Sequence, residues 1–360
     1  MKAAVCYELG KPLVVEEVDL DPPKAGEVKV KLAATAVCHS DIHVFKGEIP
    51  GKFPTVGGHE SAGYVEEVGK GVTGFKKGDP VVLSLLVSCG KCRYCLTGRS
   101  HLCNAKWPLD TETRMHNKKG QDLSMLFKTG SFADYTIVDQ SQLVKIPADM
   151  PMDRACLLAC GVITGFGAVI NRAKPPVMSS CVIIGIGGVG LNSVQGAAIS
   201  GANPIIAVDI SDNKLKAAKA FGATHTINSS KTDVIKEVQA LTGGAGADYV
   251  FVTVGSTAAV AQGFAMSGPQ GMTVIVGIPK FTDSLSVPPF MFIMGERILT
   301  GSFMGTTQLH TEIPKLVDLY KAGILKLDEL ITAHYPLEKI NEAIESVEKG
   351  QALRNIITFG

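Results

Sequence analysis

An excess of charge of either sign is missing from this chain: 35 Lys and Arg stand against 34 Asp and Glu, a formal net of +1. Without a general field there is no electrostatic reason to expect nucleic acid or an anionic membrane as a partner. An export signal is also missing. The opening MKAAVCYELGKPLVVEE is interrupted by Glu8, Lys11 and Pro12 before an apolar core can form. No uninterrupted apolar run approaches the roughly 18 residues of a membrane span. Internal repeats and low-complexity tracts are absent. These absences predict a soluble, cytoplasmic chain. Its 360 residues allow two domains, and 46% apolar content beside 19% charged is ordinary for globular cores.

A disulfide framework is excluded on count and context. Nine cysteines is an odd number, and secreted frameworks are short and even. Four of them crowd into CGKCRYCLTGRSHLC as Cys89, Cys92, Cys95 and Cys103. Four thiolates at this spacing can close a tetrahedron round Zn2+. A closed four-cysteine site offers no open coordination position, so it reads as structural, and the catalyst must lie elsewhere.

Two rhythms divide the chain. Up to about residue 160, short alternating segments such as KAAVCYEL, GEVKVKLAATAVC and FADYTIVD predict a β-rich domain. From about 181, six apolar strands (CVIIG, PIIAVD, THTIN, DYVFVTVG, GMTVIVG, RILTGS) alternate with helical patterns. That alternation predicts a doubly wound α/β fold with a parallel sheet. After about 304, helical segments lead to a last strand, RNIITFG. Residues 104–130 are polar and weakly periodic and read as a long surface loop. Arg114, His116, Lys118 and Lys119 on it read as a solvated face rather than a lure for an anionic substrate.

GIGGVG places Gly185, Gly187 and Gly190 in G-x-G-x-x-G, after an apolar strand and at the start of a helix. An acidic residue, Asp209, ends the next strand about twenty residues on, the full context of a dinucleotide fingerprint. Gly185 permits the turn, Gly187 lets the backbone approach a pyrophosphate, and Gly190 lets helix and strand pack closely. The helix N-terminus, with Gly188 and Val189, offers N–H groups to the phosphates. Asp209 suits ribose hydroxyls and repels a 2′-phosphate, so NAD is expected over NADP.

VCHSDIH, GGHESAG and LLACGVITG supply Cys38, His59 and Cys160. Two thiolates and one imidazole would leave a fourth zinc position open, as catalysis requires. Spacing alone leaves their convergence open.

With these motifs the chain resembles the zinc-dependent alcohol dehydrogenases of the medium-chain dehydrogenase/reductase superfamily over essentially its whole length. The resemblance implies a GroES-like catalytic domain at 1–161 carrying the zinc lobe 89–103. It implies a Rossmann NAD-binding domain at 162–304 and completion of the catalytic domain by 305–360. It carries the catalytic zinc onto Cys38, His59 and Cys160, with Glu60 beside the metal. Alcohol dehydrogenase is itself the standard case of a catalytic zinc held by two cysteines and one histidine, so this assignment rests on the resemblance. Two zinc ions per chain are therefore expected. So is reversible hydride transfer between an alcohol and an aldehyde or ketone.

The resemblance also implies a proton relay from Ser40, through the nicotinamide ribose, to His43, a residue type that exchanges protons near neutral pH. Asp41 is expected to orient His59. His39 and Arg354 correspond to basic residues at the pyrophosphate, and Lys214 to a contact with the adenosine ribose. Thr164, Val189 and the backbone around Met304 are expected to pack on the nicotinamide. Glu48, with Ile49 at the nearest equivalent acidic position, departs from the glutathione-dependent formaldehyde dehydrogenases. Leu85 replaces a commonly aromatic pocket wall. The long interval from Cys103 to Cys160 implies a homodimer, paired through the last Rossmann strands. Two alternatives are a reductase of the same superfamily acting on an activated double bond or a CoA- or thiol-linked carbonyl, and a non-enzymatic zinc protein. The intact Cys38, His59, Cys160 and Ser40 set argues against both.

Overall fold

Short β-branched runs cannot bury both faces alone, and in this chain they assemble into three sheets. The computed structural model describes residues 1–360. They form two units, Met1–Cys160 with Gln308–Gly360, and Gly161–Thr307.

In the second unit the six strands form one parallel sheet. Its spatial order is His225–Asn228, Ile205–Asp209, Cys181–Ile184, Ala247–Val252, Ser267–Ile275, Ile298–Gly301. This is the 3-2-1-4-5-6 order of the dinucleotide-binding fold. The strand Cys181–Ile184 is buried along its whole length, as a central parallel strand covered on both faces must be. Asp212–Ala220 shows why its residues choose a helix. Leu215 and Ala218 turn inward three residues apart, while Lys216 and Lys219 face out. Val182, Ile184, Ile206, Val208, Val250 and Val252 form the core beneath the helices.

In the first unit, Lys2–Cys6, Val14–Leu20, Met115–Asn117, Asp122–Met125 and Thr55–Val56 close into a barrel. A second sheet runs Leu143–Lys145, Pro80–Ser84, Glu60–Val68, Glu27–Ala36, Arg354–Thr358, Ile331–Pro336, with Tyr135–Asp139 paired to Glu27–Ala36. The C-terminal strand thus completes the first unit: Ile356 lies opposite Ala36 and Ile357 opposite Thr35. Together the two units give the GroES-like and Rossmann architecture.

Residues 104–130 are not the surface loop that their polarity suggests. They hold Met115–Asn117 and Asp122–Met125, two strands of the barrel. Arg114 is 1% exposed and is clamped by Glu27 through Nε at 2.9 Å and Nη2 at 2.5 Å. A carboxylate with matching fork geometry is what permits a guanidinium to be buried. His116 lies between Asp21 and Asp122, at 3.2 and 2.9 Å, and Lys118 pairs with Asp19. These cations are matched by carboxylates rather than free to draw in an anion. No single helix is long and apolar enough to cross a membrane.

Candidate active site

The helix His39–Phe45 begins directly after Cys38, whose extended backbone forms its N-cap. It carries Ser40, Asp41 and His43. The strand Glu60–Val68 begins directly after His59. Gly58 sits between the two segments at φ +90°, and a Cβ there would lie 2.7 Å from the Phe132 nitrogen. Only glycine fits. The turn it makes lets Gly58 N–H and His59 Nδ1–H both donate to Asp41 Oδ1, at 2.9 and 3.1 Å.

Asp41 and His59 are fully buried. With Nδ1 held, His59 Nε2 points into a buried space where it has no hydrogen-bond partner. Cys38 Sγ, Cys160 Sγ and a His59 ring nitrogen all lie within 4.8 Å of one another. A buried orphan nitrogen beside two thiols is the donor set that zinc satisfies. Ser40 Oγ lies 3.8 Å from Cys38 Sγ.

Arg354, the basic residue expected at the cofactor pyrophosphate, pairs with a carboxylate of its own unit. It is buried, and its Nη1 donates to Glu60 Oε2 at 3.3 Å. Burial disfavours its charge, but Glu60, Cys38 and Cys160 hold its pKa above the ordinary value. A fully buried Glu60 thereby has its charge balanced beside the thiols. His39 is exposed at the start of the helix.

The four lobe cysteines also gather, with sulfurs within 4.8 Å of one another. Backbone N–H groups already point at sulfur: Cys92 N–H to Cys89 Sγ at 3.3 Å, Cys89 N–H to Cys103 Sγ at 3.4 Å, and Cys95 N–H to Cys92 Sγ at 3.5 Å. Such donors stabilise thiolates, and the Cys92 thiol is drawn down to about 6, chiefly by the Cys95 N–H. All nine cysteines are free.

In the second unit, the helix Gly188–Ile199 starts at the glycine-rich turn. A Cβ on Gly190 would lie 1.8 Å from the Gly185 carbonyl oxygen, whereas a Cβ on Gly187 would meet nothing within 4 Å. Close packing and open approach therefore fall to different glycines, as a bound pyrophosphate requires. Asp209 Oδ2 accepts from Ile186 N–H at 2.7 Å and Oδ1 from Ser211 N–H at 2.9 Å. The carboxylate therefore also anchors the turn, a duty its spacing did not reveal. Lys214 is half-buried on the first turn of Asp212–Ala220. Thr164 Oγ1 lies 3.7 Å from Met304 Sδ, and Met304 is buried.

Two family patterns match the chain. The alcohol dehydrogenase GroES-like domain covers residues 24–148, and the zinc-binding dehydrogenase pattern covers 188–322. An alcohol dehydrogenase zinc-binding domain protein from Burkholderia ambifaria is 35% identical, with a TM-score of 0.95 over 100% of this chain and 98% of that one. A benzyl alcohol dehydrogenase from Acinetobacter calcoaceticus is 32% identical, with a TM-score of 0.94 over 100% and 99%. The chain belongs to the zinc-dependent alcohol dehydrogenase family of the medium-chain dehydrogenase/reductase superfamily. A Sinorhizobium meliloti protein solved with NADP bound shares the fold at 24% identity, with a TM-score of 0.84 over 99% of each chain.

Cys160 beside it draws the Cys38 thiol well below the usual range, with His59 adding to the effect against burial. Cys160 is pushed the other way, well above, by Cys38 and by burial. Burial disfavours a charged His59, but Asp41 and Cys38 outweigh it and raise its pKa well above the ordinary value. In the lobe, burial pushes Cys95 up to about 12. Zinc takes neutral imidazole and thiolate, so the raised pKa values of His59, Cys160 and Cys95 set metal binding against proton binding at these ligands. Adding zinc to the apoprotein is expected to release protons, and zinc affinity is expected to fall as pH falls. Calorimetric zinc titrations in buffers of differing ionisation enthalpy measure both.

Sequence reasoning missed Phe127. It sits at φ +55°, and its ring meets that of His59 edge-on, with centroids 5.1 Å apart and planes at 80°. A left-handed phenylalanine costs roughly 1–3 kcal/mol and carries no local sequence signal.

Proposed function

We propose that the protein is an NAD-dependent zinc alcohol dehydrogenase. It removes hydride from a primary or secondary alcohol and, in reverse, reduces the aldehyde or ketone. The observation that carries this reading is the buried Cys38, His59, Cys160 cluster with an unpartnered His59 Nε2 and the Ser40 hydroxyl beside it. Cys38, His59 and Cys160 would hold the catalytic ion, and Cys89, Cys92, Cys95 and Cys103 a structural one. When bound, the catalytic zinc supplies a Lewis acid that eases loss of the alcohol proton and polarises the carbonyl. Asp41 fixes the His59 tautomer and ring orientation. Ser40 takes the hydroxyl proton. His43, three residues on and on the same helical face, carries it toward solvent. Glu60 with Arg354 sets the charge beside the ligands. Nine free thiols, six of them grouped as metal ligands, suit a reducing cytoplasm. Initial rates of nicotinamide reduction across a panel of primary and secondary alcohols test the reading, and no turnover with any of them would refute it.

Asp209 sets the cofactor preference in this reading. The wild type is expected to favour NAD over NADP by kcat/KM. Asp209→Gly is expected to erode the ratio by roughly 2–3 kcal/mol, the worth of hydrogen bonds to a charged group. Because Asp209 also anchors Ile186 N–H and Ser211 N–H, KM should rise for both cofactors. The ratio, not either KM, is the measurement that decides.

We also infer a homodimer. Ile298–Gly301 is the last strand of its sheet, paired only with Ser267–Ile275. The segment leading into it exposes Phe281, Phe290, Ile293 and Met294 at 84, 69, 76 and 69%. Apolar side chains grouped this way beside an open strand edge are what a second copy would cover by extending the sheet across a two-fold axis. Sedimentation equilibrium at micromolar concentration is expected to give twice the 37.9 kDa chain mass.

A further inference from the structure

The imidazole of His43 has a partner that the relay reading does not assign. Its Nδ1 contacts Glu48 Oε2. Glu48 lies five positions after His43, and the backbone returns the carboxylate to the ring. Gly47 turns the chain at φ +75°. Glu48 N–H and Ile49 N–H then both donate to the His43 carbonyl oxygen, at 2.9 and 3.3 Å. On the other side of the turn Lys46 pairs with Glu348 at 2.5 Å. The carboxylate is therefore held in place by the fold of the turn.

A carboxylate only accepts, so Nδ1 must be a donor nitrogen of His43, and in the neutral ring Nε2 is left with its lone pair. The buried half of the site has the same arrangement: Asp41 accepts from His59 Nδ1–H and leaves Nε2 to its task. The two pairs differ in burial. Asp41 and His59 are sealed, whereas the His43 and Glu48 side chains are 34 and 30% exposed, at a boundary where a proton can pass to water. A neutral imidazole otherwise divides between two tautomers, and one of them presents N–H where the relay needs an acceptor.

We propose that Glu48 is a positioning residue that holds His43 in its Nδ1–H tautomer, with Nε2 as the atom that exchanges protons. This rests on the relay reading above, but its primary readout does not. With 15N-labelled histidine and neutral imidazoles, the His43 resonances of the wild type are expected to show a protonated Nδ1 and an unprotonated Nε2. Glu48→Ala is expected to shift them toward the opposite tautomer. Glu48→Gln, whose amide oxygen still accepts, should keep the wild-type signature. Glu48→Lys, which cannot accept, should behave as the alanine variant and serves if that variant does not fold.

In turnover, Glu48→Ala is expected to lower kcat about tenfold, as loss of an orienting partner does, with KM for the alcohol little changed. In a His43→Gln background the same change should cause no further loss. A wild-type tautomer in both Glu48→Ala and Glu48→Lys, or an equal loss in the His43→Gln background, would overturn the proposal. Absence of alcohol oxidation in the wild type would overturn the relay reading, while the nitrogen spectra would still decide the role of Glu48.

Discussion

Ser40→Ala is expected to lower alcohol oxidation by about 10²–10⁴, the usual worth of a positioned proton transfer. Zinc content and cofactor affinity should stay at wild-type values. The hydroxyl lies 3.8 Å from Cys38 Sγ and belongs to neither ligand set. It is half-buried on the first turn of His39–Phe45, where alanine is a better helix former than serine, so the variant should fold. The loss should appear in kcat and kcat/KM alike, because a proton acceptor acts only as the bond breaks. His43→Gln should cost less, since water reaches the half-exposed end of the relay. A Ser40→Ala enzyme with full zinc occupancy and undiminished kcat would remove Ser40 from the mechanism.

Cys89→Ser should do the reverse. It is expected to take zinc from two ions per chain to one and to cost stability while leaving the rate per catalytic zinc near wild type. The lobe closes Cys89–Cys103, and fixing a loop about fifteen residues long is worth roughly 3 kcal/mol of chain entropy. At about 2–4 °C per kcal/mol for a domain of this size, Tm should fall by some 6–12 °C. The N–H···S contact from Cys92 to Cys89 is lost with the thiol, and the two that remain, to Cys103 and Cys92, face a thiol set that no longer closes on a metal. Metal analysis, a thermal melt and a rate normalised to zinc measure the three effects. A collapsed rate with an unchanged Tm would mean that the lobe is catalytic.

The two predictions separate because the two sites were legible to different degrees. The lobe could be read directly, since all four ligands fall within one short segment. GIGGVG could be read for the same reason: strand, turn, helix and Asp209 occupy one continuous unit. The convergence of Cys38, His59 and Cys160 could not be read from spacing, because it depends on how the strand Glu60–Val68 and the segment before Gly161 pack. Nor could the pairing of Arg354 with Glu60, 294 residues apart, or the burial of Arg114 by Glu27, 87 residues away. Residues 104–130 misled for another reason. Their strands are only three and four residues long, too short for alternation to register, and their polar side chains find carboxylates on other strands. Phe127 and Glu48 depend on backbone geometry, a left-handed residue in one case and the turn at Gly47 in the other.

Direct hydride transfer from the alcohol carbon to the nicotinamide is the central claim. The most direct test is oxidation of a primary alcohol dideuterated at its carbinol carbon, in the presence of NAD, with the NADH analysed by mass spectrometry and NMR. We predict one deuterium per NADH, at C4 and on one face of the ring. NADH that carries hydrogen from solvent at C4, or no NADH from any alcohol at full zinc occupancy, would contradict it.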